Sequence, residues 1–100
     1  MRVMVMARRR FPVPEQETLA LFRGFAAWWS FYRDHWEGAW FFAGGAEGFG
    51  VANVPDEATF HRMMIEWPFA SYLDLEVRPV LSVDEALTIW FDESRMAGGE

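Results

Sequence analysis

The sequence predicts one α+β domain with the ferredoxin-like strand–helix–strand–strand–helix–strand order and a further helix at its C-terminal end. Three observations lead there. Short apolar segments alternate with a period of two, longer ones recur at spacings of three and four, and Pro or Gly breaks separate them in that order.

The first segment has Val3, Val5 and Ala7 alternating with Met4, Met6 and Arg8, a strand with apolar residues on both faces. Pro12 and Pro14 break the chain, and Glu15 and Glu17 supply the acidic first turn that a helix N-terminus favours. Phe22, Phe25, Trp29, Tyr32 and Trp36 then form the stripe of an amphipathic helix, which Leu21, Trp28 and Phe31 widen. That breadth fits either a thick core or an aromatic wall over a pocket or partner. The helix is expected to run to Gly38, with a second strand over residues 39–43 and a turn built on Gly44, Gly45 and Gly48. Residues 49–54 alternate Phe49, Val51 and Asn53 with Gly50, Ala52 and Val54. They make a third strand whose small-residue face lets another group approach closely.

Asp56 is placed to cap a second helix whose buried face carries Phe60, Met63, Met64 and Trp67 and which must stop before Pro68. Leu73, Leu75 and Val77 alternate with Asp74, Glu76 and Arg78 in a fourth strand, and Ser82 to Glu85 has the form of a capping box for the last helix. Residues 1–92 are read as the single domain and 93–100 as a polar, flexible tail.

In this order both helices cover one sheet face and leave the other bare. The bare face is apolar in at least three strands, and 52% of the residues are hydrophobic and 18% aromatic, more than a domain of 100 residues can hide. A subunit interface, a ligand pocket or both must take the surplus, which predicts a homodimer or higher homo-oligomer that binds a small apolar organic molecule.

A net charge of −6 and the absence of lysine argue against a nucleic-acid partner. The run Arg8 to Arg10 reads as a solvated strand end or an anion contact. With no cysteine there is no disulfide or thiolate chemistry, which fits a cytoplasmic protein. No stretch reaches the roughly 20 apolar residues of a membrane span, and the N-terminus is too quickly charged for a signal segment. Two histidines without close carboxylate spacing predict no metal site, and the glycines lie between strands instead of in a nucleotide loop.

Residues 60–80, FHRMMIEWPFASYLDLEVRPV, resemble the C-terminal half of the muconolactone Δ-isomerase family. The likeness rests on Phe60-His61, on Pro68-Phe69 seven residues beyond His61, and on the Tyr72 to Val77 strand followed by Pro79. Trp40 and Ala43-Gly44 resemble that family's Trp-x-x-Ala-Gly. The resemblance implies a dimeric α+β barrel and a cofactor-free double-bond shift in a small lactone by proton removal and return. Where the isomerases carry charges in the middle of the first helix, this chain has Phe25, Ala26, Ala27, Trp28 and Trp29, so a larger and more apolar substrate is implied.

Such chemistry needs a base near neutral pKa and a donor to the developing oxyanion. His61 is the candidate base and Tyr72 the candidate donor, each with a plain packing role as its alternative. Trp28, Trp40, Phe42 and Trp67 are candidate pocket walls, and Arg8 a candidate clamp for a carboxylate. His35 beside Asp34 reads as a helix-end cation, and Asp74, Glu76 and Arg78 as a salt-bridged subunit contact. Two functions stay open: a cofactor-free isomerase or cyclase acting on an apolar lactone or unsaturated carbonyl compound, and a non-catalytic oligomeric binding or scaffold protein of the same fold.

Overall fold

The computed structural model describes residues 1–43 and 47–97. Strand β1 (Arg2–Arg9) is followed by helix α1 (Thr18–Tyr32), strands β2 (Trp36–Phe41) and β3 (Gly48–Asn53), helix α2 (Glu57–Ile65), strand β4 (Leu73–Pro79) and helix α3 (Val83–Ala97). The four strands form one antiparallel sheet in the order β2-β3-β1-β4, the α+β fold that the alternation patterns predict.

Register follows from which face each side chain needs. Val5 sits between Gly50 of β3 and Val77 of β4, and Ala7 between Gly48 and Leu75. Their face carries the core, where Val3, Val5, Ala7, Ala52 and Leu73 are buried against Trp28 and Tyr32 of α1, Met63 of α2, and Trp67 and Phe69. Met63 is fully buried. Successive strand residues point to opposite faces, so Met4, Met6, Phe49, Val51, Trp40 and Phe42 belong to the other face. Trp40 and Phe42 are at least half exposed there, and both rings pack on Phe49.

Local capping is as the sequence predicts. The Asp56 carboxylate accepts from the Thr59 amide at 2.7 Å, and Ser82 and Glu85 exchange hydrogen bonds of 3.0 and 3.2 Å in a reciprocal capping box. Glu85 also joins Glu37 of β2 on the guanidinium of Arg2, which ties the start of α3 to the sheet. Beyond that tie α3 is largely exposed, with Val83, Trp90 and Phe91 each 60% exposed or more.

Three expectations are corrected. Helix α1 ends at Tyr32, not near Gly38. A single 3-10 turn, Arg33–His35, redirects the chain, and Trp36 is the first residue of β2. The second strand is therefore Trp36–Phe41 and carries a bulge between Trp36 and Gly38. Gly48 is not a turn residue but the first residue of β3, while Gly44 and Gly45 lie outside the described residues. Helix α3 continues to Ala97, past the boundary expected at residue 92, and residues 98–100 lie outside the described residues.

The Asp56 cap gives a pH-dependent prediction. The Thr59 amide holds the Asp56 carboxyl below its usual range, so its stabilising effect is present above the unfolded carboxylate range and is lost as pH falls through the folded one. Urea unfolding of Asp56→Ala should show reduced stability at pH 7, with the gap to the unsubstituted protein narrowing as the pH is lowered into the acid range.

Candidate functional site

Strand β3 presents Gly48, Gly50 and Ala52 to the helix layer, and that lack of side-chain volume makes room above the sheet. Into it lean the large rings of α1 and β2. A Cβ on Gly50 would come within 2.8 Å of the Trp36 ring, and one on Gly48 within 2.2 Å of the Trp40 carbonyl oxygen, so these positions have no space for a side chain. The room is not wholly filled. A cavity of about 290 Å3 remains between α1 and the inner face of β1, β2 and β3.

Its wall is assembled from four elements and one loop. Helix α1 contributes Phe25, Trp28 and Trp29. Strand β2 contributes Trp36, Ala39, Trp40 and Phe41, and the segment after α2 contributes Trp67. Val5, Ala7, Gly48, Phe49 and Gly50 complete it. The rings hold one another in place: Trp28 stacks on Trp67 with centroids 5.3 Å apart and planes 14° apart, and Phe25 meets Phe41 at 5.5 Å. Trp36 lies 6.0 Å from Trp28 and 6.2 Å from Trp29. Such contacts contribute beyond area burial, and they fix ring planes as ordinary aliphatic packing does not.

Trp28 is also anchored by a hydrogen bond from Nε1 to the Met63 carbonyl at 2.9 Å, which joins α1 to α2. The indole nitrogens of Trp36 and Trp67 are equally enclosed, yet no protein group accepts from them. None of the wall residues is ionisable.

Of the residues singled out in the sequence, Trp28, Trp40 and Trp67 come together on this wall, and Phe42, Arg8, His61 and Tyr72 are not among its residues. Phe42 packs on Phe49. Arg8 is exposed and approaches the Met6 sulfur at 3.5 Å. His61 is exposed on α2. Tyr72 is partly buried and donates to Glu17 at 2.5 Å, a bond that raises its pKa above the ordinary tyrosine value, with burial adding to the effect. Nearby, Arg10 pairs with Asp74 at 3.7 Å, and the Glu47 carboxylate accepts from the Arg9 amide at 2.8 Å. The Asp74, Glu76 and Arg78 face holds an internal pair, Arg78 with Glu76 at 2.7 Å. His35 lies in the 3-10 turn after α1, with its ring 6.3 Å from that of Tyr32. Tyr32 in turn donates to Glu66, and this bond is the main reason its pKa is raised. Among the described residues no group of three or more His, Asp or Glu side chains is placed to hold a metal ion, and no helix is long and apolar enough to cross a membrane.

Phe25, Trp29 and Trp36 belong to the aromatic stripe that the sequence leaves between thick core and pocket wall, and Phe41 carries no such signal. The usable signal was the pairing of a Gly-x-Gly strand with a doubled tryptophan on the preceding helix, since vacant volume and large rings must be reconciled somewhere.

A family model described as "Domain of unknown function (DUF3303)" matches residues 1–92. The chain belongs to that family. No curated protein matches this DUF3303 chain. Solved structures that share its fold include two enzymes. One is muconolactone isomerase, with a TM-score of 0.70 at 21% identity over 82% of this chain and 90% of that one. The other is 5-chloro-2-hydroxyhydroquinone dehydrochlorinase from Burkholderia phenoliruptrix AC1100 in complex with 2,5-dihydroxybenzoquinone, with a TM-score of 0.64 at 14% identity over 85% of this chain and 98% of that one. The resemblance read from residues 60–80 is thus borne out in the fold, and identities this low carry the fold alone.

The DUF3303 site makes a packing prediction. Gly50→Ala places a methyl against the Trp36 ring and 2.9 Å from the Gly38 carbonyl. Overpacking of this kind should cost about 1–3 kcal/mol, read by urea unfolding, and should displace Trp36 enough to change the near-ultraviolet circular dichroism.

Proposed function

We propose that the chain binds a flat, uncharged, mostly apolar ring compound in the cavity between α1 and the sheet. The observation that carries this reading is the wall itself: about 290 Å3 lined by aromatic, small and aliphatic residues, none of them ionisable. An ion brought there would lose its hydration without a counter-charge, whereas a neutral ring would exchange water for aromatic faces. The two fold neighbours, one named for a lactone and one in complex with a dihydroxybenzoquinone, support a small cyclic ligand.

The test uses naphthalene as the probe. Four of the tryptophans, Trp28, Trp29, Trp36 and Trp67, border the cavity on the helix side of the sheet, with the Trp40 ring on the outer face and Trp90 on α3, so binding should quench or shift much of the intrinsic fluorescence. It should also raise the melting temperature, since a ligand at a hundredfold excess over its Kd stabilises the native state by about 2.7 kcal/mol. Saturating naphthalene with no change in either signal would remove the reading.

A second reading, cofactor-free isomerisation by proton transfer, is favoured by the isomerase fold and by the Tyr72–Glu17 pair. A base removes a proton beside a carbonyl, a donor steadies the enolate oxygen, and the proton returns at another carbon, so the product is an isomer and nothing is consumed. Tyr72, its pKa raised by Glu17, keeps its proton, and its single O–H would have to turn from Glu17 to the enolate oxygen to act as donor, with His61 as the base. Neither borders the cavity, so a ligand in this scheme extends past the wall or meets these groups across a subunit contact. The assay follows isomerisation of ring lactones and cyclic unsaturated ketones by the unsubstituted protein, His61→Ala and Tyr72→Phe. Turnover should fall at least about a hundredfold in each variant, and turnover undiminished in both would assign the chemistry elsewhere.

We also infer that a second copy covers the outer sheet face, where Met4, Met6, Val51, Phe49, Trp40 and Phe42 form an apolar surface too continuous for a lone domain. Light scattering should give at least twice the 11.7 kDa chain mass. Val51→Asp, which sets a charge in that face without touching the cavity wall, should shift the protein toward monomer.

A further inference from the structure

Three tryptophans meet in the wall of the cavity, and their polar atoms are treated differently by the fold. Trp28 Nε1 has a partner inside the protein, the Met63 carbonyl at 2.9 Å. Trp36 Nε1 and Trp67 Nε1 have none, and both nitrogens lie below the accessible surface, so bulk water does not serve them either. Buried indole N–H groups ordinarily find an acceptor, and one left without it is a cost that the fold must carry. Among the described residues these are the two buried side-chain nitrogen or oxygen atoms in that condition, and both belong to rings that border the same cavity.

We propose that Trp36 and Trp67 are the polar recognition groups of the cavity, their indole N–H bonds donating to an uncharged acceptor oxygen, such as a ring carbonyl, on the bound molecule. This rests on the reading of the cavity as a ligand site and adds which atoms choose among ligands. The chemistry selects an acceptor and not a donor, because an indole nitrogen can only donate. It selects a neutral oxygen over a carboxylate, because the wall offers no cation to accompany a buried anion. A purely hydrocarbon ring fills the volume and leaves both donors unserved. A ring with a carbonyl fills the same volume and serves them.

Since both nitrogens are covered, the acceptor does not dock on a donor already turned toward it. Entry of the ligand is accompanied by a rotation of the indole about its side-chain torsions, and the cavity beside the two rings gives the space. Trp36 is the freer of the pair, being only partly buried, while Trp67 is clamped in its stack on Trp28. Trp36 is therefore the residue expected to move most.

The experiment compares naphthalene with 1,4-naphthoquinone, matched in ring size and shape, against the full-length protein; the chain has neither cysteine nor lysine for the quinone to arylate. The quinone should bind about tenfold more tightly or better, as expected for a donor that gains a partner on binding. In the ¹H–¹⁵N spectrum the Trp36 and Trp67 indole protons should move downfield with the quinone beyond any shift caused by naphthalene, while the Trp28 signal, already bonded to Met63, serves as the internal reference. Trp36→Phe and Trp67→Phe, which also assign the two signals, should each lower the quinone-to-naphthalene affinity ratio toward one, a ratio that simple loss of packing does not change. Should either variant fail to fold, the spectrum of the unsubstituted protein decides. Equal affinities with no quinone-specific movement of the two signals would overturn the donor assignment and leave the cavity reading standing. If neither compound binds, both fall.

Discussion

A mismatch of side-chain volume between β3 and the layer above it governs this molecule. The strand offers Gly48, Gly50 and Ala52 where a sheet ordinarily presents branched side chains, and α1 with the start of β2 offers Trp28, Trp29 and Trp36. Indoles are rigid, so they cannot fill the vacated space as a methionine would. They brace one another instead, and the space left over persists as a cavity. The same mismatch fixes register. A one-residue slip of β3 would turn Phe49 and Val51 inward where Trp36 already lies and would put glycines outside, so the pairing with β1 and β2 is held by sterics as well as by hydrogen bonds.

The second consequence concerns the apolar surface that the domain does not use. The radius of gyration is 17.5 Å and the long dimension 65 Å, against about 13 Å expected for the radius of a compact chain of this length. Helix α3, joined to the sheet through Arg2 and Glu85, carries Val83, Trp90 and Phe91 largely in the open. An extended apolar arm and an apolar outer sheet face on one chain are complementary needs. The second copy proposed above, in a closed two-fold assembly, would satisfy such needs without leaving further sticky surface to recruit more copies.

What could be read in advance divides by range of interaction. The Asp56 cap and the Ser82–Glu85 box are set by residues three apart, and the structure has both bonds. The two-residue alternation sets Val3, Val5 and Ala7 on one face of a strand, because a strand's faces are decided by its own backbone, but with both faces apolar it does not say that theirs is the one that carries the core. The end of α1 was misread because Trp36 stands four residues after Tyr32 and so continues the helical stripe, although it serves a strand whose partner, Ala52, is remote in sequence. Gly48 was misread because glycine marks turns and close approaches alike, and only the Trp40 carbonyl opposite it shows which applies. The cavity was harder still. Trp28 and Trp67 were foreseen as walls, but the joining of Phe25, Trp29, Trp36 and Phe41 with them depends on three elements meeting, and no single segment encodes that.

The distribution of charge follows the same division of labour. All the ionisable groups near the end of β1, among them Arg8, Arg10, Glu17, Glu47 and Asp74, are engaged with one another or with solvent, while the wall that begins at Ala7 has none. Strand alternation turns Arg8 to the face opposite Ala7, and Arg9, which shares the face of Ala7, stands exposed at the strand end beyond the wall. With a net charge of −6 around an uncharged interior, an anion meets a repulsive field outside and an uncompensated loss of hydration inside. A neutral ring meets neither. On the proposed reading, selection of a ligand rests first on charge, next on flatness against the stacked indoles, and last on an oxygen that the Trp36 and Trp67 N–H groups lack.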